Sequence, residues 1–474
     1  MRRLAWFSPM SPVRSGVASY SAEVIADLRR EHQIDVYVDA SSAQSLAQLE
    51  RRSPDTRRSA HDFVWQHHKQ PYDLTVFQMG NSSHHDFLWP YLFRYPGLTV
   101  LHDGHLHHAR AAALLRQKRA SDYREEFAAN EPDLPRDFAE LAVSGFDTHL
   151  LYAAPMTRLV VESSRVTAVH ASALLPQLRE QSPRAIIETI RLGHGQTVDA
   201  ERRAAARARV RGALGLSAEA PLFGVFGGLS PEKRIPQILK AVQQVRRYIP
   251  NLKLLLAGAQ ASHYDVAADI LRHGLHDVVL LTGYIESDDD LTDHLAACDV
   301  SLNLRWPTAR EVSGPWLRAL AAGVPTITMD LAHLAGVPSL DPRTWAPPGC
   351  QVRTACDAAE AVSVTIDILD EEHSLQIAMR RLGSDDELRS AIAAAGQRYW
   401  SREHSHERML ADYRRVIDSA LKGPSRGSRM NSRPAAGWPA HLTDCGTATM
   451  DTLLAPFGFA PGDPRLVWVS DTKE

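Results

Sequence analysis

The sequence predicts an α/β protein built from two Rossmann-like domains. Short apolar segments that suit buried strands alternate with helical segments along most of the chain. Two of these strands, at residues 4–8 and 222–226, lead into glycine-bearing loops that open helices, which is how a Rossmann-like domain usually begins. With 474 residues, the chain is also long enough for two or three domains.

The N-terminal half follows this alternation to about residue 192. Its predicted strands lie at residues 4–8, 34–38, 74–79, 98–101, 158–162 and 186–192, and its clearest helices at 17–30 and 163–175. The first loop, which contains Gly16, does not fit the G-x-G-x-x-G pattern of dinucleotide-binding proteins, so the sequence does not favour NAD. The alternative to a binding role is that this loop is a plain strand-to-helix turn.

Six histidines and an aspartate gather in the N-terminal half; they are His84, His85, His102, His105, His107, His108 and Asp103. A bound metal ion needs a fixed set of three or four ligands. These residues are spread over two loops, so the sequence favours structural roles for most of them and predicts no metal site.

The second half begins with the strand at 222–226 and a loop of sequence GGLSPEKR, followed by a helix at 236–247. Glycines such as Gly228 expose backbone amides, and the cations Lys233 and Arg234 follow within a few residues. Such a loop can meet a diphosphate, although a basic turn at a helix N-terminus is more often simply solvated. Further strands are predicted at 254–257 and 278–282.

A second anion-binding feature is predicted at residues 299–328. A strand at 300–304 leads through a polar loop into a helix at 315–322. Pro315 suits the first helical position, so Ser313 and Gly314 carry the loosely held amides of a helix N-terminus. Amide donors and the helix dipole attract an anion there. The alternative is an ordinary strand–loop–helix of an α/β core.

Composition excludes several other classes of protein. The formal net charge of −3 gives no nucleic-acid signature. Four cysteines without close spacing indicate a reducing compartment. The N-terminus lacks a signal-peptide pattern, and no run approaches the roughly 20 apolar residues that span a bilayer. We therefore expect a cytoplasmic protein. The charge-rich segment 51–58 suits a solvated loop and leaves open a peripheral contact with anionic lipid at the inner face of the membrane.

A family resemblance appears in the motif RWPTAREVSGPWLRALAAGVP at residues 305–325. It resembles the donor-site loop and helix of family-4 retaining glycosyltransferases of the GT-B fold, in a subgroup with an R-x-P-T-x-x-E-x-S-G loop beginning at Arg305. Many relatives carry two glutamates with seven residues between them, one near the donor sugar and one near the ribose. Arg310 and Arg318 occupy those positions here. The resemblance implies that Glu311 takes the first role and offers no replacement for the second.

Three other segments support the same resemblance. The loop GGLSPEKR is similar to the family's G-R-L-x-P-E-K-G segment, whose basic residues hold the donor phosphates. Lys233 is kept, Gly228 stands at the arginine position, and Arg234 is the candidate for the second charge. The segment around Gly16 resembles the S-G-x-A-x-Y-S opening of GT-B transferases, which implies that Gly16 lets this loop approach the donor or the acceptor and makes it a candidate donor-binding residue. The pair Q-M-G-N and V-L-H-D resembles two loops of the subgroup, which makes His102 the best candidate for a catalytic histidine facing the cleft.

The resemblance implies two Rossmann-like domains facing across a cleft. Residues 1–195 would form the acceptor domain, completed by a C-terminal helix at about 403–421 that returns to it, and residues 196–402 would bind the nucleotide sugar. The chain after residue 422 loses periodicity and gathers Pro, Gly, Ser and Thr, so a disordered tail is predicted.

The implied reaction moves a sugar from a nucleotide-diphosphate sugar to an acceptor hydroxyl with retention of configuration, in polysaccharide or glycoconjugate biosynthesis. It requires neither metal nor cofactor, and the acceptor is a sugar, a lipid-linked molecule or a small molecule. Two alternatives stay open. One is a non-hydrolysing UDP-sugar epimerase, which shares the fold, and the other is a non-catalytic subunit that binds sugar nucleotides.

Overall fold

The architecture is taken from a computed structural model of the chain. It describes residues 1–39, 57–146, 149–308, 311–331, 334, 336–347, 360–422, 438–443 and 454–460. The chain divides into two compact units: unit 1 comprises Met1–Ile190 with Leu410–Glu474, and unit 2 comprises Arg191–Met409. None of the helices in the described part of the chain is long and apolar enough to cross a membrane.

The described residues of unit 1 contain a parallel sheet of seven strands in the order β3-β2-β1-β4-β5-β6-β7. The strands are β1 (Arg2–Phe7), β2 (His32–Val38), β3 (Arg57–Ser59), β4 (Leu74–Met79), β5 (Leu98–Leu101), β6 (Val166–Val169) and β7 (Ile187–Thr189). Strands β4, β5 and β6 are buried along their whole length, as expected when helices cover both faces of a parallel sheet.

The α-helices of unit 1 connect these strands. They are α1 (Gly16–Leu28), α2 (Phe63–Lys69), α3 (Trp89–Leu92), α4 (His107–Arg116), α5 (Ala120–Asn130), α6 (Ala139–Val143), α7 (Arg158–Ser163) and α8 (Leu175–Gln181). Helices α4 to α6 surround a separate apolar cluster that includes Leu114, Tyr123 and Phe127. The connection between β5 and β6 is long because it contains this cluster as an apolar core of its own.

The described residues of unit 2 contain a second parallel sheet of seven strands, in the order β10-β9-β8-β11-β12-β14-β13. The strands are β8 (Leu222–Phe226), β9 (Lys253–Ala257), β10 (Val279–Gly283), β11 (Val300–Asn303), β12 (Thr326–Met329), β13 (Ser339–Leu340) and β14 (Ser363–Ile366). Strand β8 pairs with β9 on one side and with β11 on the other. The chain therefore reverses its winding direction between β8 and β11, and ligands of open α/β sheets bind at such a point.

The α-helices that begin in unit 2 are α9 (Ala200–Ala213), α10 (Ile235–Val245), α11 (Val266–Arg272), α12 (Asp288–Ala297), α13 (Gly314–Ala321), α14 (Glu371–Ser384), α15 (Asp386–Glu403) and α16 (His406–Lys422). Helix α10 shows how the sequence pattern produces the packing. Its residues Ile235, Ile238, Leu239, Val242 and Val245 share one face with helical spacing, and all are buried in the unit 2 core.

The C-terminal return of the chain to unit 1 is confirmed. From Leu410 onward, helix α16 belongs to unit 1. The hydroxyl of Tyr413 lies within hydrogen-bond distance of Tyr20 on α1, at 2.7 Å, and of Gln78 on β4, at 3.2 Å. Near the surface, Arg414 pairs with Glu31. A buried polar contact and an exposed ion pair therefore fix the register of this helix on the sheet.

One predicted strand is wrong. Residues 158–162 form helix α7, and the strand of this region is β6, where the sequence predicted a helix. The run R-L-V-V-E is short and apolar, so its pattern suits either structure. The side chain of Asn130 accepts a hydrogen bond from the backbone N of Leu159 at 3.0 Å, which satisfies a donor in the first turn of α7. That partner lies 29 residues away, beyond the reach of local pattern.

Two charged or polar segments are also more structured than predicted. Arg57 and Arg58, at the end of the charge-rich segment 51–58, belong to edge strand β3. In the tail predicted to be disordered, residues 440–443 form a short helix, α17 (Ala440–Thr443), whose Leu442 is buried. Most of that tail, together with Arg310, lies outside the described residues.

Candidate functional site

Unit 2 contains a pocket of about 150 Å³ where the carboxyl ends of β8 and β11 meet the N-terminus of α13. Its walls come from the segments after these two strands and from the end of β12. The lining residues are Phe226, Lys233, Leu302, Asn303, Leu304, Arg305, Thr308, Glu311, Val312, Ser313, Gly314, Pro315, Trp316, Thr328, Met329, Leu331 and Leu334. Five of the nine residues predicted for the site, Lys233, Arg305, Glu311, Ser313 and Gly314, therefore share one pocket.

The loop after β8 depends on a close approach of two backbones. Gly227 adopts a φ of +91°, and its N donates to Ala257 O at 2.9 Å. A Cβ on Gly258 would lie 2.0 Å from Gly227 O, so only glycine fits at Gly258. A Cβ on Gly227 would lie 2.7 Å from the Nζ of Lys233. The two glycines therefore make the space into which the lysine side chain folds.

Lys233 is the cation of the pocket. It is only partly exposed, and its Nζ donates a hydrogen bond to the carbonyl of Phe226. Burial, and then the charge of Arg305, lowers the pKa of Lys233 to about 7, against the opposing influence of Glu311. An anion entering the pocket would favour the ammonium form and would thereby strengthen its own binding.

Glu311 is held by two neighbours on the loop after β11. Thr308 Oγ1 donates to Glu311 Oε2 at 2.9 Å, and the guanidinium of Arg305 forms an ion pair with Oε1. Both carboxylate oxygens therefore have a partner on this loop, and the side chain has a fixed position in the pocket wall.

The N-terminus of α13 supplies backbone donors to the pocket wall. Ser313 is the N-cap, and its Oγ accepts from Trp316 N at 3.3 Å. Pro315 has no N–H, so Gly314 carries the remaining amide of the first turn. Trp316 also donates from Nε1 to Thr326 Oγ1 at 3.3 Å, which fastens the start of the helix to β12. The N-terminus therefore has a fixed position at the sheet edge.

The absence of a side chain at Gly314 allows a close contact within unit 2. A Cβ at this position would lie 3.2 Å from Cδ2 of His194. The missing side chain thus makes room for a histidine of unit 2, and the sequence contained no signal that these two residues meet. His194 Nε2 in turn accepts from Arg318 Nε at 2.8 Å.

Arg318, which stands where related sequences have their second glutamate, takes part in internal contacts. It is buried and donates to Asp288 Oδ1 at 2.9 Å as well as to His194. Asp288 is the first residue of α12, where a carboxylate interacts favourably with the helix dipole. The arginine therefore joins α12, α13 and the segment around residue 194 within unit 2.

Two predicted donor residues lie beside the pocket and do not line it. Arg234 has a φ of +59° and forms a bidentate ion pair with Glu371 of α14, with its Nε 2.7 Å from Oε1. The prediction that Arg234 supplies a second phosphate-binding charge is therefore not matched by its position. A Cβ on Gly228 would meet nothing within 4 Å, so the backbone there is open to an approaching group.

The remaining two predicted residues belong to unit 1. Gly16 begins α1, and a Cβ there would meet nothing within 4 Å. His102 lies at the carboxyl end of β5, with the ring of Tyr20 edge-on at 4.8 Å between centroids. Burial lowers the pKa of His102 well below its ordinary value.

Both ring nitrogens of His102 have partners. Nδ1 lies 3.2 Å from His170 Nε2, and Nε2 lies 2.8 Å from the side-chain amide of Gln78. His170 Nδ1 in turn lies 2.8 Å from the carbonyl oxygen of Ile190. The side-chain oxygen of Gln78 faces His102, and its Nε2 donates to the hydroxyl of Tyr413 at 3.2 Å.

Sequence reasoning missed the residues that position these side chains. Thr308 lies in the R-x-P-T motif and Tyr20 in the S-G-x-A-x-Y-S motif, so both had a signal. Gln78 also had one, since it begins Q-M-G-N. His170 and Tyr413 lie in unremarkable helical or loop sequence, and only the fold brings them to His102.

The comparisons with known proteins agree with this architecture. Residues 220–362 match the family model for glycosyl transferases group 1. No curated protein matches the chain. Among solved structures, HepE of Anabaena in complex with UDP and glucose covers 88% of this chain over 100% of its own, with 13% identity and a TM-score of 0.60.

Two further structures show the same likeness. Sucrose-phosphate synthase from Thermosynechococcus elongatus is 16% identical and covers 88% of this chain and 100% of its own, with a TM-score of 0.57. The catalytic domain of starch synthase IV from Arabidopsis thaliana, bound to ADP and acarbose, is 13% identical and covers 89% and 99%, with a TM-score of 0.57. The chain therefore has the two-domain GT-B fold that its sequence predicted, and unit 2 carries the region that matches glycosyl transferases group 1.

Two adjacent glycines provide a matched test of the loop after β8. Gly227→Ala places a Cβ in the left-handed region and against Lys233, so we expect a loss of roughly 1–2 kcal/mol in the free energy of unfolding. Gly228→Ala meets open space, and we expect a change below about 0.5 kcal/mol. Thermal unfolding of the two variants measures the difference, and equal melting temperatures would contradict this description of the loop.

Proposed function

We propose that this protein is a retaining glycosyltransferase that moves a sugar from a nucleotide-diphosphate sugar to an acceptor hydroxyl without a metal ion. The observation that carries the proposal is the unit 2 pocket, where Lys233, the N-terminus of α13 and Glu311 face one space between β8 and β11. The match of residues 220–362 to glycosyl transferases group 1 supports it. So do the UDP and ADP in the structures of HepE and starch synthase IV.

The diphosphate of the donor is assigned to the positive end of this pocket. Departure of the sugar leaves negative charge on the nucleoside diphosphate, and prepared donors around that charge lower the barrier. Lys233 provides an ammonium group, and Gly314 provides an amide at a helix N-terminus. Gly228, whose backbone is open, lets the phosphates approach the first loop. In this proposal, lysine and amides supply the electrostatic role that a metal cation fills in other transferases.

The sugar is assigned to Glu311. The Glu311 carboxylate lines the same pocket as Lys233, so a hydroxyl of a sugar bound there can donate to it. Arg305 and Thr308 hold the carboxylate in place, which keeps the geometry fixed before the sugar arrives. Glu311 thus orients the donor sugar, and the proposal assigns no covalent intermediate to it.

The acceptor is assigned to unit 1, which carries His102 and Gly16. Because both nitrogens of His102 have partners, the residue is poorly suited to take a proton from the acceptor. We therefore assign His102 a role in shaping the acceptor region, and no role as a general base. The acceptor hydroxyl belongs to a sugar, a lipid-linked molecule or a small molecule.

A panel of nucleotide sugars tests the activity directly. The full chain is incubated with UDP-, GDP-, ADP- and dTDP-sugars, with and without simple glycoside acceptors, and free nucleoside diphosphate is measured. We expect release from one donor class, a product with the donor's anomeric configuration by NMR, and no loss of activity in EDTA. Isomerised nucleotide sugar without free diphosphate would instead show an epimerase, and binding without turnover would show a non-catalytic subunit.

The lowered pKa of Lys233 predicts a pH dependence of diphosphate binding. Free Lys233 loses its proton as pH rises through about 7, and bound diphosphate raises that pKa again. Between pH 7.5 and 8.5 we therefore expect the dissociation constant for nucleoside diphosphate to rise up to about tenfold, with uptake of about one proton on binding. Isothermal titration calorimetry in buffers of different ionisation enthalpy measures both quantities.

The matched variants are Lys233→Met and Lys240→Met. Lys233→Met removes a charge-assisted contact, so affinity at pH 6.5 falls about tenfold to a hundredfold and the pH dependence disappears. Lys240 pairs with Glu372 at the surface, and its loss leaves both properties unchanged. A pH dependence that survives in Lys233→Met would assign the proton to another group.

Glu311→Gln separates sugar orientation from nucleotide binding. The amide keeps the size of the side chain and removes its charge, so turnover falls about tenfold to a hundredfold. The affinity for free nucleoside diphosphate, which lacks the sugar, changes less than threefold. Steady-state kinetics and calorimetry give the two values, with Glu372→Gln at an exposed surface ion pair as the control. If turnover and the affinity for nucleoside diphosphate fell equally, Glu311 would be assigned to the phosphates and not to the sugar.

A further inference from the structure

The described part of the C-terminal tail meets unit 1 at a histidine. His441, on helix α17, faces Asp122 and Glu125, which lie on helix α5. One ligand atom from each of these three residues lies within 4.8 Å of the other two. The packing around this point is apolar and specific, since Leu442 is buried and the ring of Trp438 meets Phe93 edge-on at 5.8 Å. His441 is therefore held against α5 by its neighbours.

The tautomer of His441 follows from a fully buried carboxylate. Nε2 lies 2.7 Å from Oε1 of Glu126, and Glu126 also forms a bidentate pair with Arg110. An ionised carboxylate can only accept, so Nε2 of His441 carries a hydrogen and donates it.

The other nitrogen of His441 faces negative charge. Nδ1 lies 3.6 Å from Asp122 Oδ1 and 3.9 Å from Glu125 Oε2, and it is a buried atom without a hydrogen-bond partner among the residues that the structure describes. These separations are too long for hydrogen bonds. In a neutral ring, the lone pair on Nδ1 points toward two carboxylate oxygens, which is unfavourable unless a positive charge lies between them.

The separations suit a shared metal ion. Tetrahedral zinc with bonds of about 2.1 Å keeps its ligand atoms roughly 3.4 Å apart. Asp122 is already oriented, because Arg119 Nε donates to its Oδ2 at 2.5 Å and leaves Oδ1 toward the histidine. The Glu126 carboxylate behind the imidazole is the outer partner that metal-binding histidines usually have.

We propose that Asp122, Glu125 and His441 form a site for a divalent cation, with zinc the best fit to one imidazole and two carboxylate ligands. The cation fastens residues 438–443 to helix α5, with Glu126 and Arg110 supporting the histidine from behind. This site lies in unit 1, apart from the proposed donor pocket, and does not depend on the glycosyltransferase activity. A protonated His441 that pairs with the carboxylates without metal is the competing state.

Zinc titration of the metal-free full chain tests the proposal. We expect one tight site by calorimetry and a rise in melting temperature on addition of zinc. Glu125→Gln alters a side chain that is 58% exposed, so the variant should fold, and it should bind zinc at least tenfold more weakly. His441→Gln should abolish the site, whereas His373→Gln, at an exposed position on α14, should retain it.

Cobalt substitution identifies the ligands. We expect visible d–d bands without a thiolate charge-transfer band, lost in His441→Gln. Circular dichroism confirms that each variant is folded. Three results would overturn the proposal: no tight zinc binding by the wild type, equal binding by Glu125→Gln and wild type, or a thiolate band. The first of these would leave the protonated histidine as the link between tail and helix.

Discussion

The pairing of β8 with β11 is the constraint on which the candidate site depends. Strands that follow β8 are added on one side of it, and β11 begins the series on the other side. Their connections leave the sheet in opposite directions, which opens a crevice at the carboxyl edge. Lys233 follows β8, whereas Glu311 and the start of α13 follow β11, and this crevice is where the two segments meet. The backbone of Gly227 lies against Gly258, and this close contact leaves space for the side chain of Lys233 beside the loop after β8.

Of the four basic residues Lys233, Arg234, Arg305 and Arg318 of unit 2, two line the pocket and two do not. Arg318 is tied to Asp288 and His194, and Arg234 is tied to Glu371. Lys233 and Arg305 line the pocket. Glu311 also lines it and forms an ion pair with Arg305. This arrangement explains how an arginine can stand at a position where related sequences have glutamate: its charge is neutralised within the fold and does not enter the pocket.

Several buried polar groups of unit 1 are hydrogen-bond partners of one another. Tyr20, Tyr413, Gln78, His102 and His170 form a chain of hydrogen bonds that ends at the carbonyl of Ile190. Tyr20 and Gln78 each have Tyr413 of helix α16 as a partner, and unpaired buried polar groups are costly. Glu126 is a second example, because its buried carboxylate has Arg110 and His441 as partners and these come from two distant segments of the chain. Both cases make the C-terminal residues part of the structure of unit 1.

Local pattern in the sequence determined the α/β class, nearly all of the strands it predicted, and the loops that carry Lys233, Ser313 and Gly314. The patterns are apolar periodicity, glycine before a helix, and proline with serine at a helix start. The return of the C-terminal helix and the pocket residues Arg305 and Glu311 were expected from the resemblance to a known family. Tertiary structure decided the rest, because the partners are far apart in the chain. Asn130 makes residues 158–163 a helix, Glu371 withdraws Arg234 from the pocket, and His194 explains Gly314. Glu126 and Phe93 give order to a tail whose composition predicts none. Such contacts depend on which groups the fold brings within a few ångströms, and no periodicity in the sequence records them.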